Sequence, residues 1–338
     1  MIAPATAEEA AAALDAASAE ESPVRIRGGG SHLGYGYSVT AGTELTTAAL
    51  DEVVDWRPED LTVVVEGGVR VADLEEMLSE HHQTAVLPEV PGNATVGGVI
   101  AAGLSGWRRS RYGPTRDRVL EVVLATGDGR VVTAGGQVVK NVSGYDVARL
   151  VTGSLGSLGV IARVALKLWP RREAEATVRP EGRASAYRPL ADLIVDGERR
   201  VYLAGTKAEV DAQAAQLGGD LTPGLDWPGE PAGSVALVAR VPSRLTRAAV
   251  ARVPVGWSFC AALGVGEVHM AGDDPDLAEL SAYRTWAEDA GGALVVARGE
   301  LDFDPWGTPP SSAALQRRVK AAFDPIGVCN PGILPGRI

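Results

Sequence analysis

The 26 residues from Pro88 to Gly113, PEVPGNATVGGVIAAGLSGWRRSRYG, constrain the fold more than any other stretch. They hold six glycines (Gly92, Gly97, Gly98, Gly103, Gly106 and Gly113) among alanines, Thr95 and three arginines. Glycine lacks a Cβ, so its clustering marks backbone that approaches another group closely or turns through positive φ. Thr95 is placed to cap a helix running to Gly103, with small residues on its outer side. A helix start of that kind offers N–H groups and the positive end of its dipole to an anion. The same residues also suit a glycine-rich surface loop beside a tightly packed helix. This stretch alone leaves both readings open.

A chain of 338 residues exceeds one ordinary core, so two domains are expected. The composition, 46% hydrophobic and 22% charged, is that of a globular protein, and no apolar run approaches the ~20 residues of a membrane span. A net charge of −11 opposes binding to the phosphates of a nucleic acid. Cys260 and Cys329 lie far apart and form no metal or redox spacing. The N-terminus carries acids rather than a basic leader and reads as a helix, with Thr6 and Glu9 as a capping box. A cytoplasmic location is expected, and the sequons at Asn93 and Asn141 then carry no meaning.

A short strand, Val24–Arg27, leads into Gly28-Gly29-Gly30-Ser31-His32-Leu33-Gly34. The dinucleotide spacing G-x-G-x-x-G fails here because Leu33 stands where the third glycine is needed, and no P-loop is present. Leu61–Val65 reads as a strand, Val71–His82 as a helix burying Leu74, Met77 and Leu78, with Glu75, Glu76 and Glu80 facing solvent. Ala85–Leu87 reads as a further strand, and 119–126 with 130–133 as a hairpin about Gly127-Asp128-Gly129. Asp146 is placed to cap the helix Val147–Val151, and glycines at 153, 156 and 159 precede a strand over 160–168.

After Arg172 the chain turns polar up to Arg200, which sets the domain boundary. Strands over 201–204, 235–241, 257–262, 264–270 and 293–297 then alternate with helices over 207–217, 243–253 and 276–290. The fold class expected is α+β, with a split βαβ arrangement in the second domain.

Three stretches in this order resemble the FAD-binding domain of the vanillyl-alcohol oxidase / p-cresol methylhydroxylase (PCMH-type) flavoprotein family: Arg27–Gly34, Pro91–Gly98 and Gly153–Ile161. Ala101–Gly106, the run Val139–Leu150, and the tail Phe323-Asp324-Pro325 to Asn330-Pro331-Gly332 are most similar to the branch containing the FAD-binding subunit of bacterial glycolate oxidase. The likeness is dense over 27–170 and the tail and thin over 173–320. It implies a two-subdomain FAD-binding domain over 1–172, a smaller α+β cap over 173–322 that carries the substrate, and a tail, 323–338, returning to the first domain.

The resemblance further implies FAD held by backbone N–H groups rather than lysines, which suits an acidic chain. Its cofactor-binding residues would be Arg27, Gly28, Gly29, Gly30, Ser31, His32, Gly34, Pro91, Gly92, Ala94, Thr95, Gly97, Gly98, Gly103, Gly153, Gly156, Gly159, Val160 and Ile161. His32 follows Ser31 instead of standing in the Gly-Gly-His order of covalent flavoproteins, so non-covalent FAD is implied. The activity implied is FAD-dependent oxidation of a 2-hydroxy acid, or electron relay beside a second flavoprotein and an iron–sulfur subunit, peripheral to the inner membrane through those partners. The alternatives are a stand-alone flavin oxidase of another alcohol and a non-catalytic FAD-holding subunit. Arg109, Tyr112 and His269 are the catalytic candidates, with Arg116 and Tyr145 behind them, and no general base can be named. Only four histidines are present, and they form no His-Gly-Asp/His cluster, so no metal site is expected.

Overall fold

The computed structural model describes residues 1–136 and 146–338. Most of the run 139–150 used in the resemblance, including Tyr145 and the Asn141 sequon, therefore lies outside the described residues. The chain divides into two compact units, the first made of Met1–Gly106, Pro114–Arg171 and Pro309–Ile338, the second of Trp107–Gly113 and Arg172–Thr308.

In the first unit β1 (Val24–Arg27) pairs in parallel with β2 (Thr43–Thr46). β3 (Val53–Arg57), β4 (Thr62–Glu66), β6 (Val119–Ala125), β7 (Val131–Gly135) and β8 (Val160–Lys167) form an antiparallel sheet in the order β3-β4-β8-β6-β7, while β5 (Gln83–Thr84) pairs with β9 (Trp169–Pro170). The central strand β8 is apolar nearly throughout because both of its faces are covered. Ile161, Val164 and Leu166 pack among the helices Val71–Glu80, Val96–Ala102 and Val147–Val151. Val160 and Ala162 pack instead with Leu14 of the helix Ala7–Ala19, with Leu45 and with Cys329. Side chains alternate across a strand, so two-sided cover leaves no polar face to read.

The tail is tied in by a buried ion pair. Lys320 Nζ lies 2.8 Å from Asp324 Oδ2 and also donates to the carbonyls of Ser157 and Cys329. Asp324, 1% exposed, accepts from the amides of Gly327, Val328 and Cys329. This turn delivers Cys329 to Val24, so the tail runs on beside β1.

In the second unit the strands are β10 (Ala174–Arg179), β11 (Ala191–Val195), β12 (Glu198–Gly205), β13 (Asp220–Pro223), β14 (Val235–Arg240), β15 (Ser258–Ala262), β16 (Glu267–Gly272) and β17 (Ala293–Arg298). Their order, β13-β10-β12-β11-β15-β16-β14-β17, is that of two split βαβ units joined edge to edge through β11 and β15. The second copy has helices in both crossovers, whereas the first crosses from β10 to β11 through 180–190 with no helix.

Local expectations differ from the structure in a few places. The Glu9 carboxylate accepts from the Ala5 amide rather than from that of Thr6, so only half of the capping box forms. Glu75 is half-buried, accepting from Thr84 Oγ1 and the Leu87 amide, and so belongs to no solvent face. Residues 85–87 lie outside any strand, with Val86 at φ 55°. The polar segment 173–200 contains β10 and β11, whose inward residues are too few per strand to show a period. The helix over 243–253 shortens to a 3-10 turn and Thr246–Val250.

Removing one partner of a buried ion pair strands the other, at about 3–5 kcal/mol. Asp324→Ala is therefore expected to lower the unfolding free energy of the first unit, read from urea denaturation, by that amount, and a loss of under about 1 kcal/mol would show that the tail turn is held by its backbone alone.

Candidate functional site

At the end of β1 the chain enters the first glycine loop, which lies backbone to backbone against the second glycine stretch. A Cβ on Gly28 would run into the Thr95 side chain and one on Gly29 into the Asn93 carbonyl. Asn93 Nδ2 fixes this contact by donating to the Gly29 carbonyl at 2.8 Å. Among the described residues no acceptor meets the amides of Gly28, Gly29, Gly30 or Ser31. All four residues line a cavity of about 280 Å³. Thr47 lines it too, and its buried Oγ1 has no hydrogen-bond partner.

The second stretch behaves differently from expectation. Thr95 does cap the helix Val96–Ala102, accepting from the Gly98 amide at 3.2 Å. The next amides are also consumed, Val96 donating to the Val69 carbonyl at 2.9 Å and Gly97 to that of Gly67 at 2.8 Å. The helix start is thus not a set of free anion donors, and the glycines serve packing: a Cβ at Gly97 would sit 2.8 Å from Gly67 O. Gly103 takes the left-handed conformation, φ 67°, that ends the helix.

The third stretch docks on that helix end through Gly153 N–H to Ile100 O and Leu155 N–H to Ala101 O, at 3.0 and 2.8 Å. From there Gly156, Gly159 and Ile161 reach the cavity, while Val160 points into the core on the other side of β8.

Of the residues expected at a cofactor, Arg27, Gly28, Gly29, Gly30, Ser31, His32, Thr95, Gly97, Gly98, Gly156, Gly159 and Ile161 line this cavity. Gly34, Pro91, Gly92, Ala94, Gly103, Gly153 and Val160 do not. A second cavity, of about 550 Å³, shares Arg27, Gly28, Gly29 and Thr95 with the first and adds Arg70, Asp73 and Asn93. Sequence reasoning missed Asn330, which lines the first cavity with Ile333 and Tyr37. The Asn330-Pro331-Gly332 motif was its signal. Asn330 Oδ1 accepts from Ile26 N at 2.7 Å, and its Nδ2 donates to Ile26 O and Leu155 O at 3.0 and 2.7 Å.

A run of amides without protein acceptors, an unpaired buried hydroxyl and closely packed glycines fit the diphosphate of a dinucleotide. The lining glycines leave the Ser31–His32 pair as the imidazole nearest the loop, with Ser31 Oγ 2.8 Å from His32 Nδ1. No group of three His, Cys, Asp or Glu among the described residues is placed to hold a metal. Burial pushes the Cys260 thiol up to about 12, which keeps it unreactive.

The catalytic candidates lie in the second unit. Arg109 Nη1 stands 3.6 Å from Glu267 Oε2, Arg240 Nε 3.1 Å and His269 Nε2 3.9 Å from Glu267 Oε1. Trp107 packs edge-on to His269, with ring centroids 4.9 Å apart. Burial draws the Glu267 carboxyl toward protonation, but His269, Arg240 and Arg109 outweigh it and leave its pKa below the usual carboxylate range. Arg109 and His269, 160 positions apart in sequence, are thereby gathered on one acid that sequence reasoning did not single out. Tyr112 packs against the hydrophobic cluster that contains Leu190 and Ala191. Arg116, in the first unit, lies 3.9 Å from Asp117 and lines neither cavity.

Residues 1–147 match a family model described as an FAD binding domain. The chain is 32% identical to glycolate oxidase subunit GlcE of Escherichia coli over 63% of this chain and 65% of that one. It is 35% identical to a D-lactate dehydrogenase of Archaeoglobus fulgidus over 51% of this chain and 39% of that one. To glycolate oxidase subunit GlcD of Bacillus subtilis it is 33% identical, over 57% of this chain and 42% of that one. The match thus spans less than two thirds of the length of each of these relatives. A solved structure of alkyldihydroxyacetonephosphate synthase shares the fold, with a TM-score of 0.69 at 14% identity over 97% of this chain and 75% of that one. Gly28, Gly29, Gly30, Thr95, Gly97 and Gly98, which line the first cavity, fall within the residues that match the FAD binding domain.

Proposed function

We propose that the chain holds FAD non-covalently in the first unit and acts as a flavin-dependent oxidoreductase on a 2-hydroxy acid. The observation that carries this reading is that Gly28 to Ser31, whose amides meet no protein acceptor among the described residues, line the cavity where three glycine stretches meet. Bound flavin would supply the acceptor for a hydride equivalent. The protein's own part is to hold and orient it. The amides of Gly28–Ser31 and the Thr47 hydroxyl meet the diphosphate, and Gly97, Gly98, Gly156 and Gly159 keep side chains out of the way. Ala101, Ala102, Leu155 and Ile161 offer apolar surface to the flat rings. Neutral donors suffice, which is how an acidic chain can take two phosphates.

Relatives named for glycolate and D-lactate oxidation support a small 2-hydroxy acid as substrate. The relatives named as glycolate oxidase subunits support work inside a multi-subunit assembly, and a second flavoprotein and an iron–sulfur subunit are its proposed members. Through them the chain would lie against the inner membrane; among the described residues no helix is long and apolar enough to cross it.

Purified protein should be yellow and release its colour on acid precipitation. Anaerobic glycolate or D-lactate should then bleach it, either alone or only once partner subunits are added. Colourless protein that cannot take up FAD contradicts the proposal, and colour that no 2-hydroxy acid bleaches in either setting removes the substrate assignment.

Glu267 gives a pH signature. A carboxyl whose folded pKa is depressed stabilises the fold above its unfolded pKa of ~4.3 and loses that contribution as pH falls through the folded value. The wild-type melting temperature should exceed that of Glu267→Gln at pH 7, and the gap should close as pH drops below ~4. A gap unchanged with pH would mean that the three cations do not act on Glu267.

A further inference from the structure

Asn330 sits where the tail, the first glycine loop and the third come together, and its side chain is 3% exposed. All of its principal hydrogen-bonding capacity is spent. The carbonyl oxygen takes the Ile26 amide, one N–H goes back to the Ile26 carbonyl, and the other N–H crosses to Leu155 O. The first pair of bonds copies a strand partner for the last turn of β1 before the loop. The third bond reaches the residue next to Gly156, and a Cβ there would lie 2.7 Å from Asn330 Nδ2. Asn330 is also held in the left-handed region, φ 38°, which asparagine tolerates better than most residues.

We propose that Asn330 is a positioning residue for the cofactor: its side-chain amide sets the spacing between the first and third glycine loops, and with it the affinity for FAD. The inference rests on the FAD reading above. It goes further in placing control of the site in the C-terminal tail, about 170 residues or more from either loop in sequence. Only an amide can do this task, because the site needs one acceptor and two donors in one plane. An aspartate has the right shape but turns an oxygen toward two carbonyls. A leucine fills the space and makes none of the three bonds. The tail after Asn330 supports the same wall, with Tyr37 N–H donating to Ile333 O at 3.2 Å and the Arg337 guanidinium 4.0 Å over the Tyr37 ring.

The test is FAD affinity, read from quenching of flavin fluorescence on titration into cofactor-stripped protein, together with the melting temperature of the same stripped protein. Asn330→Asp and Asn330→Leu should weaken FAD binding at least tenfold at a temperature well below their melting points. Gly156→Ala, which crowds the same nitrogen from the opposite side, should weaken it in the same direction. Should the Asn330 variants fail to fold, hydrogen exchange on the wild type decides: the Ile26 amide, bonded to Asn330 Oδ1, should gain protection when FAD is added. Lowered melting temperatures with unchanged FAD affinity, or Ile26 protection indifferent to FAD, would overturn the proposal and leave Asn330 a purely structural residue. Wild-type protein that fails to bind FAD in this assay would instead overturn the FAD reading itself.

Discussion

The site depends on backbone touching backbone without side chains between. The first glycine loop presses on Asn93 and Thr95, the helix start at Gly97 presses on Gly67, and the third stretch presses on the end of that helix. Each approach consumes hydrogen-bonding groups, and together they determine which groups are left over. The helix-start amides are used up by Val69, Gly67 and Thr95, whereas those of Gly28 to Ser31 are not. Buried or half-buried backbone donors are rarely left unpaired without a purpose. Here they belong to residues that line the first cavity.

That arrangement separates two jobs which glycine performs in one chain. At Gly28, Gly29 and Gly97 a Cβ would collide with protein, so glycine is required for assembly whether or not a ligand binds. At Gly30, φ 77°, the requirement is conformational. Gly92 and Gly153 have open space where a Cβ would stand, and neither lines the cavity. Glycine density alone therefore marks the neighbourhood of a site but not its members.

Much of the fold was legible in the sequence where local chemistry decides it. Thr95 and Asp146 each cap a helix through their own side chains, and the helix read over 207–217 spans Lys207–Leu217. The three glycine stretches were legible as an ordered set. What was not legible is long-range. β10 and β11 are short strands whose partners arrive later in the chain, so no local period exposes them. Asn330 meets Ile26 across 304 residues and Leu155 across 175, a separation no pattern of spacing encodes. Glu267 escaped notice because a lone glutamate at a strand start looks like a surface residue until Arg109, Arg240 and His269 close around it.

The most direct measurement of the central claim follows the first loop itself. In a 15N-labelled sample, adding FAD should move the amide resonances of Gly28, Gly29, Gly30 and Ser31, and ADP, which shares the diphosphate, should move the same set. The amides of Val96 and Gly97, already bonded within the protein, should shift far less. If FAD binds while the four loop amides stay in place, or if the helix-start amides move most, the diphosphate sits elsewhere and the account of the site is wrong.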